Sequence, residues 1–128
     1  MYFQIKRSQL IPSMMLFDWP EHLVSIGRRG TTTTASQALM FINGPEGRRC
    51  AEGFAARVAG AMGGDAAGLA YRIAYGREPT AAEARLARGF LDGQAASYEG
   101  DGRPDPRGRA LADFCQALLG ASEFLYIP

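Results

Sequence analysis

The segment Ala70–Glu83, AYRIAYGREPTAAE, contains every signal needed to end one helix and start another. Tyr71 and Tyr75 lie one helical turn apart, and Gly76 suits the left-handed residue that closes a helix. Pro79 blocks any continuation. Thr80 and Glu83 have the spacing of a capping box, in which each side chain satisfies the other residue's free backbone donor. Arg72 and Arg77 are placed to clamp the corner through carbonyls or carboxylates. The segment reads as a structural unit, a helix-turn-helix in shape only. Arg85 and Arg88 give the second helix a polar face, which makes nucleic-acid binding a third class of function. A net charge of +1 argues against it.

The neighbouring segments continue the helical pattern. Asp65 is placed to cap the helix that carries Leu69, Ala70, Ile73 and Ala74 as one stripe. Upstream, Arg48 to Met62 sets Phe54, Ala55, Val58 and Met62 at helical spacing and closes on Gly63 and Gly64. Thr34 starts an earlier helix with Ala38, Leu39, Phe41 and Ile42 as its apolar face, which Asn43-Gly44-Pro45 ends. Ser8 to Phe17 reads as a short helix with Pro12 in its first turn, followed by a loop from Asp18 to Gly30. Downstream of the corner, Leu86, Phe90 and Leu91 fit a core face, and Tyr98 to Arg109 reads as a solvated loop. Leu111, Phe114, Cys115, Leu118 and Leu119 form the clearest amphipathic pattern in the chain. YFQIK at the start and FLYIP at the end leave the option of a short two-stranded pairing of the termini. The expected fold is mainly α, a compact orthogonal bundle of about five or six helices in one domain, residues 1–128.

Composition narrows the function classes. The chain has 128 residues, 47% hydrophobic and 21% charged, ordinary values for a single globular domain. Thirteen of its 14 basic residues are Arg, and Lys6 is the one Lys. Arginine suits anion recognition, although Ala and Gly abundance points equally to GC-rich coding. Cys50 and Cys115 lack CxxC spacing and sit in helical patterns where a buried free thiol is the common state. No apolar run has the length of a membrane span, and the first residues lack a signal-peptide pattern, so the chain taken alone reads as cytoplasmic. His22 is the lone histidine, grouped with Asp18 and Glu21. One histidine makes a His-rich metal cluster or a Cys/His dyad with two partners hard to assemble; Asp18, Glu21 and His22 leave the option of a site, although loop carboxylates beside a His are usually solvated, and no metal or cofactor is expected.

One stretch keeps a ligand reading, RRGTTTTASQALMFING at 28–44. Thr34 and Gln37 fit a capping box, which accounts for both. Arg28, Arg29, Thr32, Thr33 and Thr34 then lie beside the positive end of a helix, where phosphates, sulfates and carboxylates bind well. The alternative is an internal carboxylate such as Asp113 or Glu123 pairing with Arg28 or Arg29. Two cations at a helix N-terminus call for an acidic partner of one kind or the other.

Four blocks in order carry a family resemblance: IKRSQLIPSMMLFDWP, RRGTTTTASQALMFINGP, AYRIAYGREPTAAE and ALADFCQALLGASEFLYIP. Together they resemble the C-terminal part of the planctomycete secreted domain of unknown function, which closes large proteins that often begin with a cytochrome-c-like module. The resemblance spans essentially the whole chain and implies that the chain is the C-terminal fragment of a larger domain. It also implies an extracytoplasmic location, with the missing upstream part or another protein as partner. Met14, Met15 and Phe17 are then candidates for core surface left bare. The haem-attachment motif is absent, so no electron transfer is implied. EGRRC at 46–50 replaces an apolar run of the family and questions how that helix's first turn packs. The resemblance implies no reaction. It is compatible with a noncatalytic accessory or interaction domain linked to complex carbohydrates, or with a fragment of an enzyme that binds an anionic substrate.

Overall fold

The computed structural model describes residues 39, 40, 42–61 and 64–125, all within one compact unit, Ala38–Pro128. Leu39, Met40, Ile42 and Asn43 are helical. Five helices follow: α1 (Pro45–Gly60), α2 (Ala66–Tyr75), α3 (Ala81–Gly100), α4 (Pro106–Gly120) and the single turn α5 (Ser122–Leu125). No strand occurs among the described residues. The fold is mainly α, and its helices pack on one another.

Local chemistry sets each boundary. Gly44 donates its N–H to Met40 O at 2.8 Å, and a Cβ there would collide with that same carbonyl, so only glycine joins the two helices at this point. Pro45 then starts α1 at a position where its missing N–H is harmless. Asp65 caps α2 by accepting from Gly68 N at 3.1 Å. Gly76 closes α2 at φ 70°, with its N–H donating to Arg72 O. The Thr80–Glu83 capping box is present in full at the start of α3. Asp105 caps α4 by accepting from Gly108 N, and Pro106 occupies the first turn.

α4 is the organising helix. It packs along α1 on one side and α3 on the other, and it also touches α2 and α5. Its buried residues are Ala110, Leu111, Ala112, Phe114, Cys115 and Leu118. The facing helices contribute mostly alanines, Ala51 and Ala55 with Val58 from α1, Ala67 and Ala70 from α2, and Ala87 from α3. Side chains this small let helix backbones approach closely, so a narrow core still excludes water.

Four expectations need correction. Tyr98 to Arg109 is not one loop: Tyr98 belongs to the last turn of α3, Pro106 to Arg109 belong to the first turn of α4, and only residues 101–105 connect them. A hydrogen bond from Tyr98 to Asp113 and the Asp105 cap hold this Gly- and Pro-rich sequence in helix. The core face of α3 is rotated away from Leu86, which is 72% exposed, and Phe90 sits at its edge; Ala87 is the buried residue. Cys50 is exposed, and only Cys115 is the buried thiol, its pKa pushed up to about 12 by desolvation. Phe124 and Leu125 of FLYIP are helical, not extended, because Ala121 starts a new turn by accepting from both of their N–H groups. YFQIK, the Ser8–Phe17 helix and the Asp18–Gly30 loop lie outside the described residues, as do Met62 and Gly63.

Close packing of alanines gives a direct test. Ala51 is fully buried between α1 and α4, whereas Ala56 on the same helix is exposed. Ala51→Leu is expected to lower unfolding free energy by about 1–3 kcal/mol through overpacking. Ala56→Leu should stay within about 0.5 kcal/mol of the parent. Chemical denaturation of both variants measures the difference.

Candidate functional site

The AYRIAYGREPTAAE segment folds into a polar cluster around one guanidinium. Arg77 donates Nε to Glu123 Oε1 at 2.7 Å and Nη2 to Glu123 Oε2 at 2.8 Å. Its Nη2 also reaches Glu83 Oε1 at 2.8 Å, and its Nη1 reaches Glu83 Oε2 at 2.9 Å and Glu78 O at 3.1 Å. All five N–H donors of the fork are thereby used. The guanidinium lies 5.4 Å from the Tyr71 ring centroid and 5.7 Å from that of Tyr75, within cation–π range. The two rings meet edge-to-face at 5.2 Å, and Tyr75 OH donates to Leu118 O at 3.1 Å. Arg72 pairs with Glu78 at 2.7 Å on the outside of the corner.

The electrostatics follow this geometry. Hydrogen bonds from Arg77, then from the Thr80 backbone and hydroxyl, hold the Glu83 carboxyl down at about 2. Glu123 is lowered by Arg77 in the same way, and Arg77 is raised by its two carboxylates. Burial pushes Tyr75 up to about 12. Arg77 and each carboxylate stabilise one another's charged state, and this outweighs the repulsion between Glu83 and Glu123, so the cluster is fixed in charge near neutral pH.

An apolar groove of about 290 Å³ opens beside this cluster. Phe114 forms its floor, with Tyr71 at 6.4 Å and Phe90 at 6.2 Å between ring centroids. Leu86, Phe90 and Leu118 line it, and Glu83 marks its polar end. A second, wider cleft of about 430 Å³ lies between α1 and α4, with Arg48, Glu52, Asp105 and Arg109 on its walls. Here Arg48 bonds to Asp113, to Gln116 Oε1 at 3.2 Å and to Glu52 Oε1 at 2.9 Å. Tyr98 OH donates to the other Asp113 oxygen at 2.6 Å, and Gln116 donates to Ile42 O at 2.7 Å. This network secures the EGRRC first turn of α1 with a polar anchor.

Arg72, Gly76, Arg77, Pro79, Thr80 and Glu83 are thus gathered in one corner. Arg28, Arg29, Thr32, Thr33, Thr34 and Gln37 lie outside the described residues, as do Asp18, Glu21 and His22. Sequence reasoning missed Glu123 as the second carboxylate of Arg77 and missed the groove altogether. The one-turn spacing of Tyr71 and Tyr75 was the available signal for a stacked cation. Nothing local tied Glu123 to the corner. No group of three or more metal-ligating side chains occurs among the described residues, and no helix there is long and apolar enough to cross a membrane.

A pH dependence follows. Glu83 has a folded-state pKa of about 2 against an ordinary 4.5, so its contribution to stability is present above about pH 4.5 and is lost as pH falls through about 2. Glu83→Gln is expected to melt lower than the parent at pH 7, with the gap closing across that window. Thermal melts between pH 7 and 2 measure it; a gap that stays constant with pH contradicts the assignment.

Comparison with known proteins places the chain. No curated protein and no solved structure matches it. The family model of PSD1, protein of unknown function (DUF1553), matches residues 1–91. The matched region ends within α3, so it holds three of the four sequence blocks and the whole Arg72–Glu83 corner, while α4 and α5 follow it. With well over half of its length matched, the chain belongs to the PSD1 (DUF1553) family of unknown function.

Proposed function

We propose that this chain is a noncatalytic helical accessory and interaction domain of an exported bacterial multidomain protein, the C-terminal part of a larger domain. The observation that carries the proposal is the groove beside the Arg77 cluster. Leu86 and Phe90 are 72% and 38% exposed above a buried Phe114, next to a rim of fixed charges. Apolar surface left in water costs about 25 cal/mol per Å², and an apolar patch with a polar rim is the usual form of a docking surface. The neighbouring charges favour binding over chemistry, since every donor of Arg77 is already satisfied within the chain. The partner is another part of the same family domain or another protein. Export and a link to complex carbohydrates enter this reading from the family resemblance alone.

A photo-activatable phenylalanine at Ala117, an exposed residue on the groove, tests the reading in the protein expressed in its native host. Irradiation should give a discrete higher-mass adduct, whereas the same group at exposed Arg57 should give none. Absence of any adduct at Ala117 overturns the reading.

A second reading has one observation in its favour. Asp113 and Glu123, the carboxylates that the sequence offers to Arg28 and Arg29, have both oxygens engaged elsewhere, by Arg48 with Tyr98 and by Arg77. With part of their acceptor capacity used inside the chain, an external anion competes with them as partner of Arg28, Arg29, Thr32, Thr33 and Thr34, as in a fragment of an enzyme acting on a sulfated or phosphorylated substrate. Sulfate, phosphate or a sulfated glycan should then raise the melting temperature, by an amount that grows with ligand concentration. The Arg28→Ala, Arg29→Ala double variant should lose the shift. No shift with any anion removes this reading.

A further inference from the structure

α3 has a second face that no other described residue covers. Its inward side carries buried Ala87 with half-buried Ala84, Leu91, Gln94, Ala95 and Tyr98. On the opposite side Ala82, Leu86, Gly89, Gly93, Ala96 and Gly100 are exposed, at alternating spacings of four and three residues. That is the repeat of a helix seam that packs against another helix. Leu86, the large apolar residue in this seam, is 72% exposed.

Charge along one side of the seam indicates which helix would fit. Arg85 and Arg88 lie in the N-terminal half and Asp92 and Glu99 in the C-terminal half, all exposed. None of the four has an ion-pair partner among the described residues; Arg88 donates to the Ala84 carbonyl. A helix with cations at one end and anions at the other along a single side is complementary to a copy of itself turned end for end. Two parallel copies would carry these charges on opposite flanks of the seam, where they do not meet, whereas the antiparallel pair brings both charged sides to the same flank. In the antiparallel register with its midpoint at residue 91, Gly89 faces Gly93 of the other copy, Leu86 faces Ala96, and Ala82 faces Gly100. The same register brings Arg88 toward Asp92 and Arg85 toward Glu99, so the apolar and charged patterns share one two-fold axis.

The glycines agree with this. Gly89 and Gly93 are exposed inside a helix, where each costs roughly 1 kcal/mol relative to Ala. A Cβ at either position would meet nothing within 4 Å, so packing within the chain does not require them. A second helix laid against them would, since its distance of approach depends on the size of the side chains at the crossing.

We propose that the outer face of α3 is a self-association surface, pairing antiparallel with α3 of a second copy of this chain. The proposal goes beyond the groove reading above: it concerns a different face of α3, which shares Leu86 alone with the groove.

Sedimentation equilibrium over a wide concentration range tests it on the whole chain. The parent mass should rise from one chain toward two as concentration increases. Arg85→Glu with Arg88→Glu should weaken association at least tenfold, and so should Asp92→Arg with Glu99→Arg. Mixing the two double variants should restore the 1:1 pair. Gly89→Gln with Gly93→Gln supplies a folding-safe control, since added side chains meet open space in the single chain: at concentrations where the parent is one chain it should melt at or above the parent temperature, and at higher concentrations it should stay monomeric. A parent that remains one chain throughout, or a dimer that survives both charge reversals and the glutamines, overturns the proposal. The Ala117 cross-link separates this failure from that of the interaction reading: a monomeric parent that still yields an adduct with a different protein sinks only the second copy, and no adduct sinks the interaction reading itself.

Discussion

Burial of one face of α4 is the constraint on which the rest of the structure depends. Leu111, Phe114, Cys115 and Leu118 supply most of the large apolar volume in the core, and α1, α2, α3 and α5 all contact this helix. The facing positions are chiefly alanines, so each neighbour must lie close to α4 for water to be excluded. A core of this kind tolerates little change in helix position, because a small displacement opens a gap that no long side chain bridges.

Two arginine clusters fix those positions. Arg48 joins α1 to Asp113 and Gln116 of α4, and Tyr98 brings the end of α3 to the same Asp113. At the other end of the molecule Arg77 joins the corner between α2 and α3 to Glu123 of α5, while Tyr75 donates to the α4 carbonyl of Leu118. Geometry of this bidentate kind adds direction to an apolar interface that has little of its own. It also leaves the exposed surface of α3, with Leu86 and Phe90, as the part of the described molecule not committed to holding the fold.

Much of the fold was legible in the sequence, and the legible parts share a feature. Asp65, Gly76, Thr80 with Glu83, and the apolar face of α4 act through partners three or four residues away or through helical period, which a linear sequence displays directly. The misreadings also share one. Tyr98 to Arg109 has the composition of a loop, and its outer parts are helical because of a contact with Asp113 that composition does not reveal. Leu86 and Phe90 look like core by hydrophobicity, but the apolar positions of α3 run round more than one face, and the choice between faces is made by α4. Of the candidate site, the corner was visible as a motif; its second carboxylate and the groove beside it were not.

The sequence by itself determined both ends of α2 and the start of α3, and that the chain would bury a stripe built around Phe114 and Leu118. Tertiary structure decided which arginine meets which carboxylate. Arg48 and Asp113 are 65 residues apart, and Arg77 and Glu123 are 46 apart. The sequence offers both acids to Arg28 or Arg29 as well. Local signals act through backbone geometry over a single turn, whereas ion pairs between distant elements exist only after the core has set the helices against one another. Charge alone selects no partner among several; packing does.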